Sequence, residues 1–146
     1  CHASSTLSNT KKENIEAVTK YGEFIGISFQ LIDDYLDYTG SKSAIGKNTG
    51  DDFNEQKITL PIIHAMNHAS SNEKLLLKEI FDKGISKDGD FERVLEILYK
   101  TKSLKFTVSQ AAIWSKQAVI SLKKLPDSVM RNLLMDLASE IVERNA

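Results

Sequence analysis

The chain has 146 residues, enough for one domain with a reasonable core. Nineteen basic against 20 acidic side chains leave a net charge of −1, which excludes the basic footprint of a nucleic-acid binder. The single cysteine, Cys1, excludes a disulfide framework within the chain, no apolar run reaches transmembrane length and no signal peptide is visible, so a cytoplasmic protein is expected.

The first long element is a helix. From Ile15 onward, Val18, Gly22, Ile25, Phe29, Ile32 and Leu36 recur at steps of three and four and define one small or apolar face. Phe24, Ser28, Leu31, Tyr35 and Tyr38 make a second stripe. A helix apolar on two sides belongs inside a bundle. Glu23, Gly26, Gln30, Asp33 and Asp37 form a narrow polar strip on it, expected to line an internal, water-accessible cavity. Asp33 and Asp37 are one turn apart on that strip, and Asp34 is offset by about 100°.

Acids in an apolar helical run need compensation, because buried carboxylates are rarely left unpaired. A hard cation supplies it. Mg²⁺ takes oxygen ligands, keeps several waters and is commonly held by one or two carboxylates plus substrate phosphates. An exposed acidic turn would carry the same residues, but the apolar positions on both sides argue against exposure.

Residues 39–57 break the helix at Gly40, Gly46 and Gly50 and read as a long loop. The loop carries Lys42, Lys47 and Lys57 with Asp51, Asp52 and Glu55. Loop lysines are ordinarily solvated surface. Directly after a carboxylate strip they suggest a metal-plus-diphosphate site, since lysine binds phosphate as a point charge. Gly46-Lys47 lacks the upstream glycine and the following Ser/Thr of a Walker-type loop.

Downstream, no stretch is β-like for long. Ile58 to Asn67 is predicted as a helix with Pro61 in its first turn. Asn72 is expected to cap Glu73–Lys83, with Gly84 as the stop, and Asp90 to cap Phe91–Lys100. Ser86 to Gly89 reads as a surface turn. A longer helix is expected from about Leu104 to Lys124, with Phe106, Val108, Ala111, Ala112, Ala118, Val119 and Leu122 inward. Pro126 or Asp127 opens the last one, with Leu133, Leu134, Leu137, Ile141 and Val142 as its apolar face. Trp114, Tyr35 and Tyr38 read as packing residues, Met130 and Met135 as gap fillers, and Lys116, Lys123 and Lys124 as solvated face. Of His2, His64 and His68, the last two are four apart, right for two ligands on one turn, but no Glu or third ligand completes that motif.

The order Phe29-Gln30-x-x-Asp33-Asp34-x-x-Asp37, then Gly46-Lys47, then Asp52-x-x-Glu55-x-Lys57 and Thr59-Leu60-Pro61, resembles the second aspartate-rich region of the trans-type polyprenyl diphosphate synthases. The tail Leu125-Pro126-Asp127-Ser128, ending in Ile141-Val142-Glu143-Arg144, resembles the long-chain bacterial members of octaprenyl type. The resemblance implies an all-α fold, the C-terminal part of an isoprenoid-synthase-type bundle, with residues 1–146 one domain fragment. It implies that Asp33 and Asp37 ligate Mg²⁺ bridging an allylic diphosphate, that Asp34 supports them, and that Gln30 lines the cavity near the substrate head. Lys47 and Lys57 would bind diphosphate oxygens, and Phe29 would pack near isopentenyl diphosphate, the second substrate.

Family members are considerably longer and commonly dimerise. Their first aspartate-rich motif, isopentenyl diphosphate pocket and a Lys-Thr element for the allylic diphosphate belong to an N-terminal half not seen in this sequence. The chain therefore resembles a C-terminal half, expected to be inactive alone and to expose the core face that the other half would cover. A non-catalytic partner subunit, an inert remnant and a class I terpene cyclase relative are the alternatives. Gly46-Lys47 and Asp52-x-x-Glu55-x-Lys57 favour chain elongation over cyclisation.

Overall fold

A computed structural model of the chain describes residues 1–7, 10–40, 50–82, 84 and 87–143. Among these it is all-α, with no strand: α1 (His2–Leu7), α2 (Lys12–Thr39), α3 (Asp51–Asn54), α4 (Leu60–His68), α5 (Ser71–Phe81), α6 (Asp90–Lys100), α7 (Ser103–Leu122) and α8 (Val129–Glu143). None of the helices is long and apolar enough to cross a membrane. The chain divides into two compact units, Cys1–Ile32 with Ser109–Ala146, and Asp33–Val108. The divisions fall inside α2 and α7.

In the first unit, the core is Tyr21, Ala118, Leu122 and Ala138, flanked by Phe24, Ile25, Val119, Leu134 and Met135. Buried polar groups there are matched. The Tyr21 hydroxyl donates to the Leu134 carbonyl at 2.9 Å, Ser28 to Ala111 at 2.9 Å and Ser115 to Ala138 at 2.6 Å. Each bond reaches a helix carbonyl from a neighbouring helix, so close packing satisfies these three hydroxyls. Phe24 meets Trp114 with ring centroids 5.5 Å apart, the packing role expected of both.

Four inward assignments in this unit do not hold. Phe29 is 61 % exposed, because α2 buries the side bearing Ala17, Tyr21, Ser28 and Ile32 and Phe29 lies about 100° away from Ser28. Ala112 is exposed. Leu133 and Leu137 are 56 % and 50 % exposed, since α8 packs through Leu134, Met135 and Ala138 instead. Met130 is exposed as well, not a gap filler. Lys116, Lys123 and Lys124 are exposed as expected.

The second unit has the larger core. Phe53, Ile62, Ala65, Leu77, Ile80, Phe81, Val94, Ile97, Leu98 and Leu104 are buried together, from α3 through α7. The amphipathic spacing of α6 places Val94, Ile97 and Leu98 inward and Glu92, Arg93 and Glu96 outward.

Helix starts differ from the expected ones by a residue or two, for identifiable reasons. Ser70, not Asn72, precedes α5, because Ser70-x-x-Glu73 forms a capping box: the Glu73 carboxylate accepts from the Ser70 N–H at 2.8 Å and hydroxyl at 2.5 Å. Asp90 opens α6 but is itself its first residue; it accepts from the Lys87 N–H at 2.9 Å and from Arg93 at 2.7 Å. Ser128, rather than Pro126 or Asp127, caps α8 by accepting from the Arg131 N–H at 3.1 Å, while Asp127 holds the Arg131 guanidinium at 2.7 Å.

Glu73 also pairs with Lys100 at 2.7 Å. Hydrogen bonds from Lys100 and Ser70 pull its carboxyl down to about 2. A depressed acid stabilises the fold above its unfolded value and loses that contribution as pH falls through the folded one. Stability is therefore expected to drop between about pH 4.5 and 2, and Glu73→Gln to flatten that segment of a urea-unfolding profile taken against pH.

Candidate functional site

Asp33 and Asp37 are half-buried on α2, and Asp34 is 6 % exposed. Asp33 and Asp37 are thus neither an exposed turn nor sealed in the core, while Asp34 is buried. Towards its N-terminus the polar strip faces solvent: Glu23, Gly26 and Gln30 are exposed, so the expectation that it lines an internal cavity does not hold there. Phe29 and Gln30 lie in the first unit, Asp33, Asp34 and Asp37 in the second. Lys47, with Lys42 and Gly46, lies outside the described residues, as does Arg144 of the tail.

Asp37 organises the segment that begins at Gly50. Its two carboxylate oxygens accept from the Asp51 and Asp52 N–H groups, each at 3.1 Å, and its carbonyl accepts from the Gly50 N–H at 2.9 Å. Gly50 sits at φ +91° with no side chain to cap α3, so a carboxylate from a distant helix takes the first-turn N–H groups instead. A Cβ on Gly50 would also come within 3.1 Å of the Phe91 ring. Glycine is required there for both reasons.

The turn after α3 folds Lys57 back. The Lys57 N–H donates to the Asp52 carbonyl at 2.8 Å, with Gln56 in the left-handed region at φ +55°. The ammonium then reaches Asp52 at 3.1 Å and Glu55 at 2.7 Å. Hydrogen bonds to Glu55 and Asp52 raise its affinity for the proton, so it stays cationic at any working pH. Lys57, Asp52 and Asp37 are therefore linked in sequence by direct contacts, and the linkage runs through the backbone of α3.

Charge is unevenly matched at this linkage. Burial and the neighbouring Asp52 charge push the Asp37 carboxyl up, against the two N–H bonds that pull it down. Tyr38 is buried and stacks on Phe91, with centroids 6.1 Å apart, and its hydroxyl has no hydrogen-bond partner. Burial, then the charges of Asp37, Asp52 and Asp34, push its phenol far above the usual range. An orphaned phenol in a negative field and a carboxylate resisting ionisation both favour a bound cation nearby.

Among the described residues no three Asp, Glu, His or Cys side chains converge to hold a metal ion. Mg²⁺ needs only one or two carboxylates, with water and phosphate oxygens filling its other positions. Asp33 and Asp37, one turn apart on the same face, are a donor set of that kind. Sequence reading missed α3 and the parts of Asp51, Asp52 and Tyr38 in this arrangement. The signal was present in Gly50-Asp51-Asp52, a glycine followed by two acids, which suits a helix N-terminus.

A family model described as polyprenyl synthetase matches residues 1–98. The octaprenyl diphosphate synthase of Haemophilus influenzae is 38 % identical over 130 residues, covering 89 % of this chain and 39 % of that protein. The crystal structure of a decaprenyl diphosphate synthase from Rhodobacter capsulatus superposes with a TM-score of 0.91 at 39 % identity, over 99 % of this chain and 45 % of that one. That of a polyprenyl synthase from Caulobacter crescentus, complexed with calcium and isoprenyl diphosphate, gives 0.90 at 32 % identity, over 99 % and 44 %. The chain spans less than half the length of each of these relatives. With the aspartate-rich helix and the turn that closes on it in the same order as the family signature, the chain belongs to the polyprenyl synthetase family.

Proposed function

We propose that this chain is the C-terminal half of a Mg²⁺-dependent polyprenyl diphosphate synthase, which condenses isopentenyl diphosphate with an allylic diphosphate to give a long-chain, octaprenyl-like product. The observation that carries the reading is the linkage of Asp37, Asp52 and Lys57, beside Asp33 on the same helix face. Mg²⁺ held by Asp33 and Asp37 would neutralise the charge that builds on a departing diphosphate. Asp34 supports that pair from its buried position. Lys57 presents a permanent cation whose partners, Glu55 and Asp52, aim it; a diphosphate displaces the exposed Glu55. Lys47 adds a second cation by family resemblance. Gln30 and Phe29 present an amide and an aromatic ring on α2 for the substrate head and the second substrate. The remaining half of the site, and dimer formation, belong to the N-terminal half of the family's fold. A single cysteine suits a reducing, cytoplasmic setting.

The test is chain elongation by this chain mixed with a separately expressed N-terminal half of the Haemophilus influenzae relative, using labelled isopentenyl diphosphate, an allylic primer and Mg²⁺. Activity is expected only in the mixture. Elongation by residues 1–146 alone would contradict the half-enzyme reading, and inactivity of two well-folded halves would leave a non-catalytic subunit or remnant. In the active mixture, Lys57→Gln is expected to lower kcat/KM for the allylic diphosphate by about tenfold, the low end for a charge-assisted hydrogen bond. Unfolding of the chain in urea should hardly change, because both of its ion pairs are at the surface.

A further inference from the structure

The second unit holds a pair of imidazoles that the proposed function does not use. His64 and His68, on successive turns of α4, stack with ring centroids 4.0 Å apart and planes 17° from parallel. Phe106 stacks on His64 at 4.2 Å, which fixes the plane of that ring. His64 is half-buried and His68 is exposed, so the pair opens to solvent.

The hydrogen bonds around the pair decide which nitrogen of each ring carries the proton. The His68 Nδ1 lies 2.8 Å from the His64 carbonyl, which can only accept, so Nδ1 bears the hydrogen. For His64 the argument takes three steps. The Thr101 hydroxyl donates to the Ile97 carbonyl at 2.7 Å. Its oxygen is then left to accept from Ser103, 2.6 Å away. Ser103, having given its hydrogen to Thr101, accepts from the His64 Nδ1 at 2.9 Å. Both rings are thus Nδ1–H tautomers, and both Nε2 atoms carry a free lone pair. A metal-ligating histidine is ordinarily arranged this way, its second nitrogen donating to a carbonyl or other oxygen. Partial burial and the neighbouring His68 also lower the proton affinity of His64.

We infer that His64 and His68 form a two-imidazole site for a borderline transition-metal cation of the Zn²⁺, Ni²⁺ or Cu²⁺ class, bound through the two Nε2 atoms. Such cations prefer imidazole, whereas the carboxylates of α2 suit Mg²⁺. Two nitrogens each about 2.0–2.1 Å from one cation sit about 3 Å apart, closer than the stacking distance, so the exposed His68 ring tilts toward His64 on binding. No third Asp, Glu, His or Cys joins them among the described residues, and water completes the coordination.

The experiment is a calorimetric titration of the 146-residue chain with ZnCl₂ in excess MgCl₂ near pH 7.5. It uses a Cys1→Ser/His2→Ala background, which removes the competing terminal thiol and imidazole. One Zn²⁺ per chain is expected. His68→Phe keeps the stack without a ligand and is expected to weaken binding at least tenfold, and His64→Phe the same. Ser103→Ala leaves both ligands but frees the His64 tautomer, with an expected loss of about tenfold, as for the removal of an oxygen that orients a ligand. Histidine ¹⁵N spectra of the metal-free chain should show the Nδ1–H tautomer at both rings. An isotherm unchanged by His68→Phe, or an Nε2–H tautomer at either ring, would overturn the site. None of these readouts depends on prenyl transfer.

Discussion

Replacing Asp33 and Asp37 together by alanine is expected to remove chain elongation by the reconstituted halves, lowering kcat by at least about 10³-fold. Loss of a single preorganised electrostatic contact to a developing charge costs on the order of 10²–10³. Two carboxylates that share one cation act as a unit, so their single losses are not additive. The measurement is product formation against Mg²⁺ concentration. Raising Mg²⁺ should not rescue the double variant. Retained elongation would sink the assignment of the metal to α2.

The two single variants separate binding from architecture. Asp33→Ala should remove activity, since it deletes one of the two proposed metal-holding carboxylates. Asp37 holds the Asp51 and Asp52 N–H groups as well. Asp37→Ala should therefore cost about 1 kcal/mol of stability besides its loss of activity, the typical effect of deleting a helix N-terminal acceptor. Asp37→Asn keeps one of the two acceptors, sets an amide donor against the other N–H group and loses the charge. It should cost no more stability than Asp37→Ala, and elongation should still fail in the folded variant, which no purely structural role of Asp37 would produce.

Much of the fold was legible because it rests on period and punctuation. The 3.6-residue repeat of α2, the stop at Gly40 and the approximate spans of α4 to α6 follow from side-chain spacing and helix punctuation alone. What spacing does not convey is which of two apolar stripes meets a partner. Phe29, Leu133 and Leu137 sit on stripes as hydrophobic as those that are buried, yet they are exposed. Their burial depends on neighbours elsewhere in sequence, and the relatives carry more than this length of chain.

The carboxylates of α2 were legible for a different reason. Acids at one-turn spacing inside an apolar run violate the local pattern, and such violations concentrate at functional positions. The direction of their contacts was not. That Asp37 would accept from the Asp51 and Asp52 N–H groups is a contact between residues 14 and 15 apart, which no local rule supplies. The tautomers of His64 and His68 were out of reach for the same cause, since Ser103 and Thr101 reach α4 only through tertiary packing.

The short helix α3 is the element on which the two halves of the proposed diphosphate site depend, and Phe53 is what holds it. Phe53 is 7 % exposed and meets Phe81 edge-on at 6.0 Å and Phe91 at 5.4 Å. Four residues of helix have no stability of their own, because nucleation costs more than one turn returns. The aromatic anchor and the Asp37 carboxylate therefore position Asp52, and through it Lys57. Phe53→Ala is expected to destabilise the chain by about 3–5 kcal/mol in urea unfolding. That is a large part of the stability of a small domain. Phe53→Leu keeps most of the volume and should cost about 1.5 kcal/mol or less. The functional consequence separates the two. With the leucine variant folded in the reconstituted mixture, the allylic KM should rise while Mg²⁺ dependence persists, because Asp33 and Asp37 stay on α2 and only the lysine side of the site is displaced. If the leucine variant instead matched the parent in KM, α3 would be a structural turn and not the support of Lys57.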